Sequence, residues 1–162
     1  MMNKDLKDIL CALNAHHVEY LVVGAYAVGV HSEPRATKDL DILIGASEKN
    51  SEAVFRALAE YGAPLAGLSP ASFRDQPGSI FQIGLPPIRI DILQSIEAID
   101  FDDAWRDRLE ALVENDVPAH VISREHLIKN KLAVGRPQDL VDVEKIREAA
   151  LLDQEPPKES KA

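Results

Sequence analysis

Three aspartates lie in apolar segments that predict β-strands. Asp39 and Asp41 form an Asp-x-Asp pair in one segment, and Asp91 lies in a later one. Because alternate residues of a strand share a face, the first two carboxylates project together, with apolar neighbours packed behind them. Carboxylates in such surroundings need a compensating cation, and hard oxygen ligands favour Mg²⁺ or Mn²⁺. The three aspartates therefore predict a site for two divalent ions, which would clamp a triphosphate for in-line displacement.

A glycine turn and a polar loop come before the first aspartate pair. Gly24-Ala25 stands between a predicted strand and a short predicted helix. A glycine there allows the backbone to approach a phosphate, and the helix N-terminus presents free N–H groups to it. Arg35, Thr37 and Lys38 then supply further phosphate donors. The segment is thus predicted to bind a nucleotide beside the metal ligands.

The elements that must position these groups indicate one α+β domain over 1–152. A short link at 84–87 favours a hairpin that brings Asp91 into the same sheet as the Asp-x-Asp pair. The stretch 62–78 predicts a loop with one helical turn near Pro70, and the polar tail 153–162 predicts disorder. The predicted helices are 4–15, 25–31, 50–61, 102–107 and two terminal helices that follow Ser123 and Gly135, and the predicted strands are 19–23, 39–44, 79–83, 88–93, 109–113 and 119–122.

These motifs resemble the minimal nucleotidyltransferases of the DNA polymerase β-like superfamily. The family pattern is a glycine followed by a small residue, a gap, Asp-hydrophobic-Asp-hydrophobic, and a third Asp on a later strand. Gly24-Ala25, Asp39-Leu-Asp41-Ile and Asp91 fit it over roughly residues 18–147. The resemblance implies a mixed β-sheet flanked by helices, with C-terminal helices like those of bacterial stand-alone members, some of which are linked to toxin–antitoxin loci. Ala25 departs from the Gly or Ser that the family more often has.

The resemblance also implies an activity and its residues. An NMP would move from an NTP, with ATP favoured, to an acceptor hydroxyl, and pyrophosphate would leave. Asp39 and Asp41 would hold the metal on the triphosphate, and Asp91 would complete the second metal site and help to deprotonate the acceptor. The leaving group would be neutralised by one of three cations: Arg35, Lys38 or Lys131.

Other functions fit the same residues. A metal-dependent phosphoesterase would use the three carboxylates with water as the nucleophile. A non-catalytic nucleotide- or partner-binding protein, for example one component of a toxin–antitoxin pair, would keep the fold without turnover. An Arg89–Asp91 ion pair on an exposed strand face is a purely structural alternative for the third carboxylate. The acceptor is open among tRNA, a protein side chain and a small molecule, and a cognate partner protein or a homodimer would complete the pocket.

The C-terminal helices supply the remaining candidates. Lys129 and Lys131 cannot face the same way on a helix, and Lys131 is favoured for the cleft. Asp139 and Asp142, three residues apart, share a helical face. Either they face solvent or form ion pairs with nearby cations, or they order the site.

Cysteine and histidine give little chemistry. Cys11 is the only cysteine, and the five histidines show no zinc-site spacing. Cys11 is predicted to pack near the apolar side of the first helix, where Leu6, Ile9, Leu10 and Leu13 recur at helical spacing. A catalytic role for this thiol is therefore not favoured.

Composition limits the class of protein. With 162 residues and 46% hydrophobic content, the chain can build the core of one globular domain. It shows no membrane-spanning or signal segment, and one cysteine favours the cytoplasm. The net charge of −9 argues against nonspecific binding to nucleic acid. A local basic patch around one cleft is predicted from Arg35, Lys38, Arg74, Arg89, Lys131 and Arg136.

Overall fold

The computed structural model describes residues 4–34, 37, 39–85, 88–113 and 116–153. The helices are α1 (Lys4–Ala15), α2 (Gly24–His31), α3 (Glu48–Tyr61), α4 (Phe101–Arg106), α5 (Arg124–Val134) and α6 (Pro137–Asp153), with a 3₁₀ turn at Pro70–Phe73. The strands are β1 (Tyr20–Val23), β2 (Asp39–Ile44), β3 (Ile80–Ile83), β4 (Arg89–Leu93), β5 (Leu109–Val113) and β6 (Val117–Val121).

The described strands form one mixed sheet in the order β3-β4-β2-β1-β6-β5. β1 runs antiparallel to β2 and parallel to β6, and β2 runs parallel to β4. β3 with β4 and β5 with β6 are antiparallel pairs. The expected α+β fold with a mixed sheet is confirmed, and so is the β3–β4 hairpin, although Pro86 and Pro87 of its turn lie outside the described residues.

The helices cover the sheet in two groups. α1 packs against α3, while α5 packs against α6 and both contact α2. The β1 strand is buried along its whole length, because it lies inside the sheet with helices packed against it. Its C-terminal end leads directly into α2, so the turn between them lies at the end of an inner strand of the sheet.

Helix boundaries follow the capping residues. The Ser123 hydroxyl accepts a hydrogen bond from the His126 N–H at the start of α5. Gly62 and Gly135 end α3 and α5 in the left-handed region, at φ of +93° and +68°, where a residue without Cβ is favoured. Pro137 then begins α6, and this division of the terminal helices is the one that the sequence predicted.

Two sequence expectations are wrong. Cys11 is exposed, because it lies on the side of α1 away from the buried apolar residues rather than beside them. Asp153, the first residue of the predicted disordered tail, belongs to α6, and residues 154–162 lie outside the described part of the chain. Among the described residues, no helix is both long and apolar enough to cross a membrane.

Candidate active site

The register of two parallel strands brings two carboxylates together. Asp41 of β2 lies directly beside Asp91 of β4, and Asp39 lies beside Arg89. Neighbouring strands are about 4.8 Å apart, so side chains at matched positions on one face are in contact range. Asp91 is buried and Asp41 is largely buried, whereas Asp39, at the start of its strand, is exposed.

Gly24 fits against the Asp41 carboxylate. It is the first residue of α2, with φ of +65°, and a Cβ at this position would collide with the Asp41 side chain. The register explains this closeness, because Val23 of β1 pairs with Asp41. Glycine is therefore required here both for its backbone conformation and for space.

The N-terminus of α2 opens at the same place. Val23, the residue before the helix, has no side-chain hydrogen bond to the first turn. The N–H groups of that turn, which include that of Ala25, therefore lack a side-chain cap and can serve an anion.

Burial and mutual repulsion make Asp41 a weak acid. Loss of hydration, with smaller contributions from Asp91 and Asp39, raises the pKa of Asp41 to about 6, against the lowering effect of Arg89 and Lys131. Burial also raises the pKa of Asp91, although the Arg89 charge opposes the shift. The two adjacent strands thus hold carboxylates in surroundings that penalise their charged forms.

Arg89 compensates Asp91 only in part. Its Nε lies 3.2 Å from Asp91 Oδ1, so the ion pair of the purely structural alternative is present, but Asp91 is buried rather than on an exposed strand face. The two atoms do not meet with hydrogen-bonding geometry, and neither has another hydrogen-bond partner within the described chain. A buried carboxylate oxygen is left available to a further cation.

The donor chemistry of this site fits a hard divalent ion. Asp41 and Asp91 offer oxygens from adjacent strands, and one Asp91 oxygen lacks a hydrogen-bond donor. In the conformation observed, no group of three or more potential ligands converges closely enough to hold a metal among the residues that the structure describes. Asp39 would have to turn inward from its exposed position to become the third ligand.

The polar loop contributes less than the sequence suggested. The Thr37 hydroxyl lies 3.3 Å from the Asp39 carbonyl oxygen, to which it donates, and accepts from the Asp39 N–H at 3.4 Å. These contacts fix the backbone at the start of β2. Arg35 and Lys38 lie outside the described residues.

Lys131 is held by two buried carboxylates. Its Nζ lies 3.1 Å from Asp139 Oδ1 and 3.0 Å from Asp142 Oδ2, and the residue is only 7% exposed. Of the alternatives for Asp139 and Asp142, the solvent-facing one is wrong and the ion pair is present, while a role in ordering the site stays a prediction. Lys129, as expected, points away and is exposed.

Arg136 is the accessible cation of this cluster. Its guanidinium contacts both oxygens of Asp139, with Nε at 2.7 Å from Oδ2 and Nη2 at 3.3 Å from Oδ1, yet its side chain is 73% exposed. Hydrogen bonding to Asp139 raises the pKa of Arg136, with a smaller contribution from Asp41. The sequence placed Arg136 in a general basic patch and, with Lys131, among the possible ion-pair partners of Asp139 and Asp142, but not in the site itself. Arg136 lies between Gly135, which ends α5, and Pro137, which begins α6, and this position in the turn is the sequence signal that could have identified it.

Two solved structures share the fold of this chain. One is the crystal structure of a candidate nucleotidyltransferase (TM1012) from Thermotoga maritima, with a TM-score of 0.57 and 16% identity over 96% of this chain and 97% of that one. The other is the solution structure of the antibiotic-resistance factor ANT(2'')-Ia, with a TM-score of 0.55 and 16% identity over 91% of this chain and 82% of that one. At this level of identity the likeness extends to the fold alone.

Sequence comparison supplies the family. No curated protein sequence matches the chain. A family model described as a nucleotidyltransferase of unknown function (DUF6036) matches residues 2–155, nearly the whole chain. The protein therefore belongs to this family of minimal nucleotidyltransferases.

Proposed function

We propose that this nucleotidyltransferase moves an NMP from an NTP to an acceptor hydroxyl in a reaction that depends on Mg²⁺ or Mn²⁺. The observation that carries the proposal is the contact group formed by Asp41, Asp91 and Gly24. Two carboxylates whose pKa values are raised by burial adjoin the uncapped start of a helix, so groups suited to a cation and to a phosphate lie side by side.

The metal would be held by Asp41 and Asp91, with Asp39 turning inward as the third ligand. Such ions, when bound, polarise the transferred phosphoryl group and stabilise both the attacking and the leaving oxygen. Burial, with smaller contributions from the charges of Asp91 and Asp39, raises the pKa of Asp41, and this supports the assignment because a cation between the carboxylates would stabilise the charged form.

The chain's own groups supply positioning and proton transfer. The first-turn N–H groups of α2 would bind a phosphate that Gly24 allows to come close. Asp91 is a better proton acceptor than an ordinary carboxylate, because burial raises its pKa, and it would take the proton of the acceptor hydroxyl.

A cation is also needed for the pyrophosphate that leaves. Arg136 suits this role better than Lys131, because its guanidinium reaches solvent while the ammonium of Lys131 is already shared by two carboxylates. Asp139, which accepts a hydrogen bond from Arg136, would orient this guanidinium both before and after the nucleotide binds. Lys131 would then act mainly by holding α5 and α6 together beside the site.

The acceptor is proposed by class only. ATP is the favoured donor, and the acceptor is a hydroxyl of tRNA, a protein or a small molecule. ANT(2'')-Ia is described as an antibiotic-resistance factor, which keeps small hydroxylated molecules among the acceptors to be tried. A protein encoded beside this one, as in a toxin–antitoxin pair, is the first protein acceptor to test.

Calorimetric titration of each of the four NTPs, with and without Mg²⁺, tests the site directly. We expect one or more NTPs to bind only with the metal, and the Asp39→Asn/Asp41→Asn variant to lose that binding. Thermal unfolding of both proteins shows whether the variant is folded. Metal-independent binding that survives in a folded variant would refute the assignment of these carboxylates.

Product analysis separates transfer from hydrolysis. A nucleotidyltransferase releases pyrophosphate in proportion to the nucleotide joined to the acceptor, whereas a phosphoesterase hydrolyses a phosphodiester without a second substrate. Incubation with α-labelled NTP and candidate acceptors, followed by detection of label on the acceptor, gives the first outcome. Phosphodiester hydrolysis without any labelled acceptor would favour the second.

A further inference from the structure

Helix α6 leaves large apolar residues exposed near both of its ends. Leu140 and Val141 are each 47% exposed, and Leu151 and Leu152 are 65% and 66% exposed. The fold uses a different side of the helix, on which Val143 and Ile146 are buried among others. The outer side thus carries two apolar pairs without a described neighbour to cover them.

Exposed charged residues lie between these two apolar pairs, and together with them they form two stripes along the helix. Residues spaced by four, three and four positions lie on one side of an α-helix. Leu140, Glu144, Arg147 and Leu151 make the first such stripe, and all four are exposed. Read from either end, the stripe presents an apolar residue and then a charge, and the two charges are opposite.

The neighbouring stripe repeats the arrangement. It consists of Val141, Lys145, Glu148 and Leu152, and these residues are also exposed. Again the apolar residues are outermost and the two inner charges are opposite. Two adjacent stripes of this kind form a broad surface, which we call the outer face of α6.

We propose that the outer face of α6 pairs with the same face of a second copy of the chain, antiparallel, about a two-fold axis near Ile146. Along the first stripe, Leu140 would then lie opposite Leu151 of the second copy, and Glu144 opposite Arg147. Such a contact uses the same patch twice, as a two-fold interface requires.

The second stripe obeys the same operation. Val141 would lie opposite Leu152, and Lys145 opposite Glu148. The midpoint of these pairs is one residue, or about 1.5 Å, further along the helix than that of the first stripe, so the two midpoints lie on either side of Ile146. The two midpoints are close enough for one axis near Ile146 to serve both stripes, and this is the reason to choose a second copy as the occupant. A partner with charge of one sign would leave half of these four charges opposed by like charge.

The size of the contact sets its strength. The outer face from Leu140 to Leu152 is about 18 Å long at 1.5 Å per residue. One helix pair of this length covers less than the roughly 1,200–2,000 Å² typical of stable complexes. The dimer should therefore form and dissociate with protein concentration, and high salt should weaken its ion pairs.

Sedimentation of the full chain over a concentration series tests the proposal. We expect a reversible monomer–dimer equilibrium. Glu144→Arg and Arg147→Glu should each weaken it by about tenfold or more, because each places two like-charge contacts in the dimer. Leu151→Glu should weaken it as well, whereas Leu85→Glu, at a residue that is 83% exposed outside α6, should not.

Mixing the two charge variants separates pairing between copies from effects within one helix. Arg147 and Glu144 also approach each other within α6, at 3.8 Å, so either variant alters its own helix. In an equimolar mixture, however, every Arg of one chain meets a Glu of the other, and a heterodimer should form at least as well as the wild-type dimer. A monomer at all concentrations, a dimer unaffected by the variants, or a mixture that stays monomeric would each overturn the proposal.

Discussion

Replacing Asp41 by Asn should make the protein more stable at neutral pH. The pKa of Asp41 is about 6 in the fold, against an ordinary value of 3.8, a rise of about two units. Each unit corresponds to about 1.4 kcal/mol, so ionisation of this carboxyl costs the fold up to about 3 kcal/mol. The amide has the shape of the protonated acid without its charge, so the variant avoids this cost.

The sign of the effect gives a distinctive pH profile. A raised carboxyl pKa means that the folded state binds the proton more tightly than the unfolded state. The cost is therefore absent below about pH 3.8, grows as the pH rises to about 6, and is complete above it. The stability gain of Asp41→Asn should follow the same course, measured by urea unfolding at pH 4, 5, 6 and 8.

Metal and a control variant complete the experiment. Mg²⁺ should stabilise the wild type by binding the folded state, and should have little effect on Asp41→Asn. Asp39→Asn, at an exposed position, should change the free energy of unfolding by less than about 0.5 kcal/mol without metal. A variant that is less stable than wild type at pH 8, or a difference that does not vary with pH, would refute the reasoning.

Three further substitutions test the surroundings of the site. Lys131→Met should lower the free energy of unfolding by about 3–5 kcal/mol, because it removes the buried ammonium that Asp139 and Asp142 share and leaves Asp139 only its contact with Arg136. Exposed Lys129→Met should change it by less than about 0.5 kcal/mol, and urea unfolding of both variants decides. Gly24→Ala should cost more than Gly67→Ala, which shares a positive φ of +80° but has free space, and only the Gly24 variant should lose metal-dependent NTP binding in calorimetry. Hydrogen bonding by Arg136 is the main cause that holds the pKa of Asp139 at about 2, so Asp139→Asn should lower the free energy of unfolding by up to about 2 kcal/mol at pH 7. In acid unfolding this loss of stability should shrink as the pH falls from 4 towards 2, and a loss independent of pH would contradict this origin.

Local signals were sufficient to place most elements. The bounds of α1, β2 and β5 agree with the sequence prediction, because alternation, capping residues and turns act within a few residues. The hairpin to β4 was predictable for the same reason. The Asp-x-Asp pair and Gly24 were found through their positions relative to these elements.

Contacts between distant segments were harder to predict. The parallel pairing that places Asp41 beside Asp91 depends on which strand joins β2, and no local pattern determines that choice. The burial of Asp139 and Asp142 required knowledge that Lys131 lies between them. Cys11 was misplaced for a simpler reason: at 100° per residue it lies about 150° from the centre of the apolar side of α1, so its apolar neighbours in sequence were misleading.

The side-by-side pairing of β2 and β4 also limits how this enzyme can evolve. Deleting one residue within β4 would reverse the orientation of its side chains and move Asp91 to the other side of the sheet. Such a change would separate Asp91 from Asp41 in a single step, with no partly active variant in between, so selection should remove length changes in this strand. The segment from Gly62 to Gly78, in contrast, contributes no residue to the described strands, so a longer loop there would leave the pairing of β2 with β4 unchanged. New acceptor specificities should therefore arise by insertion in that segment, while the strand that carries Asp91 keeps its length.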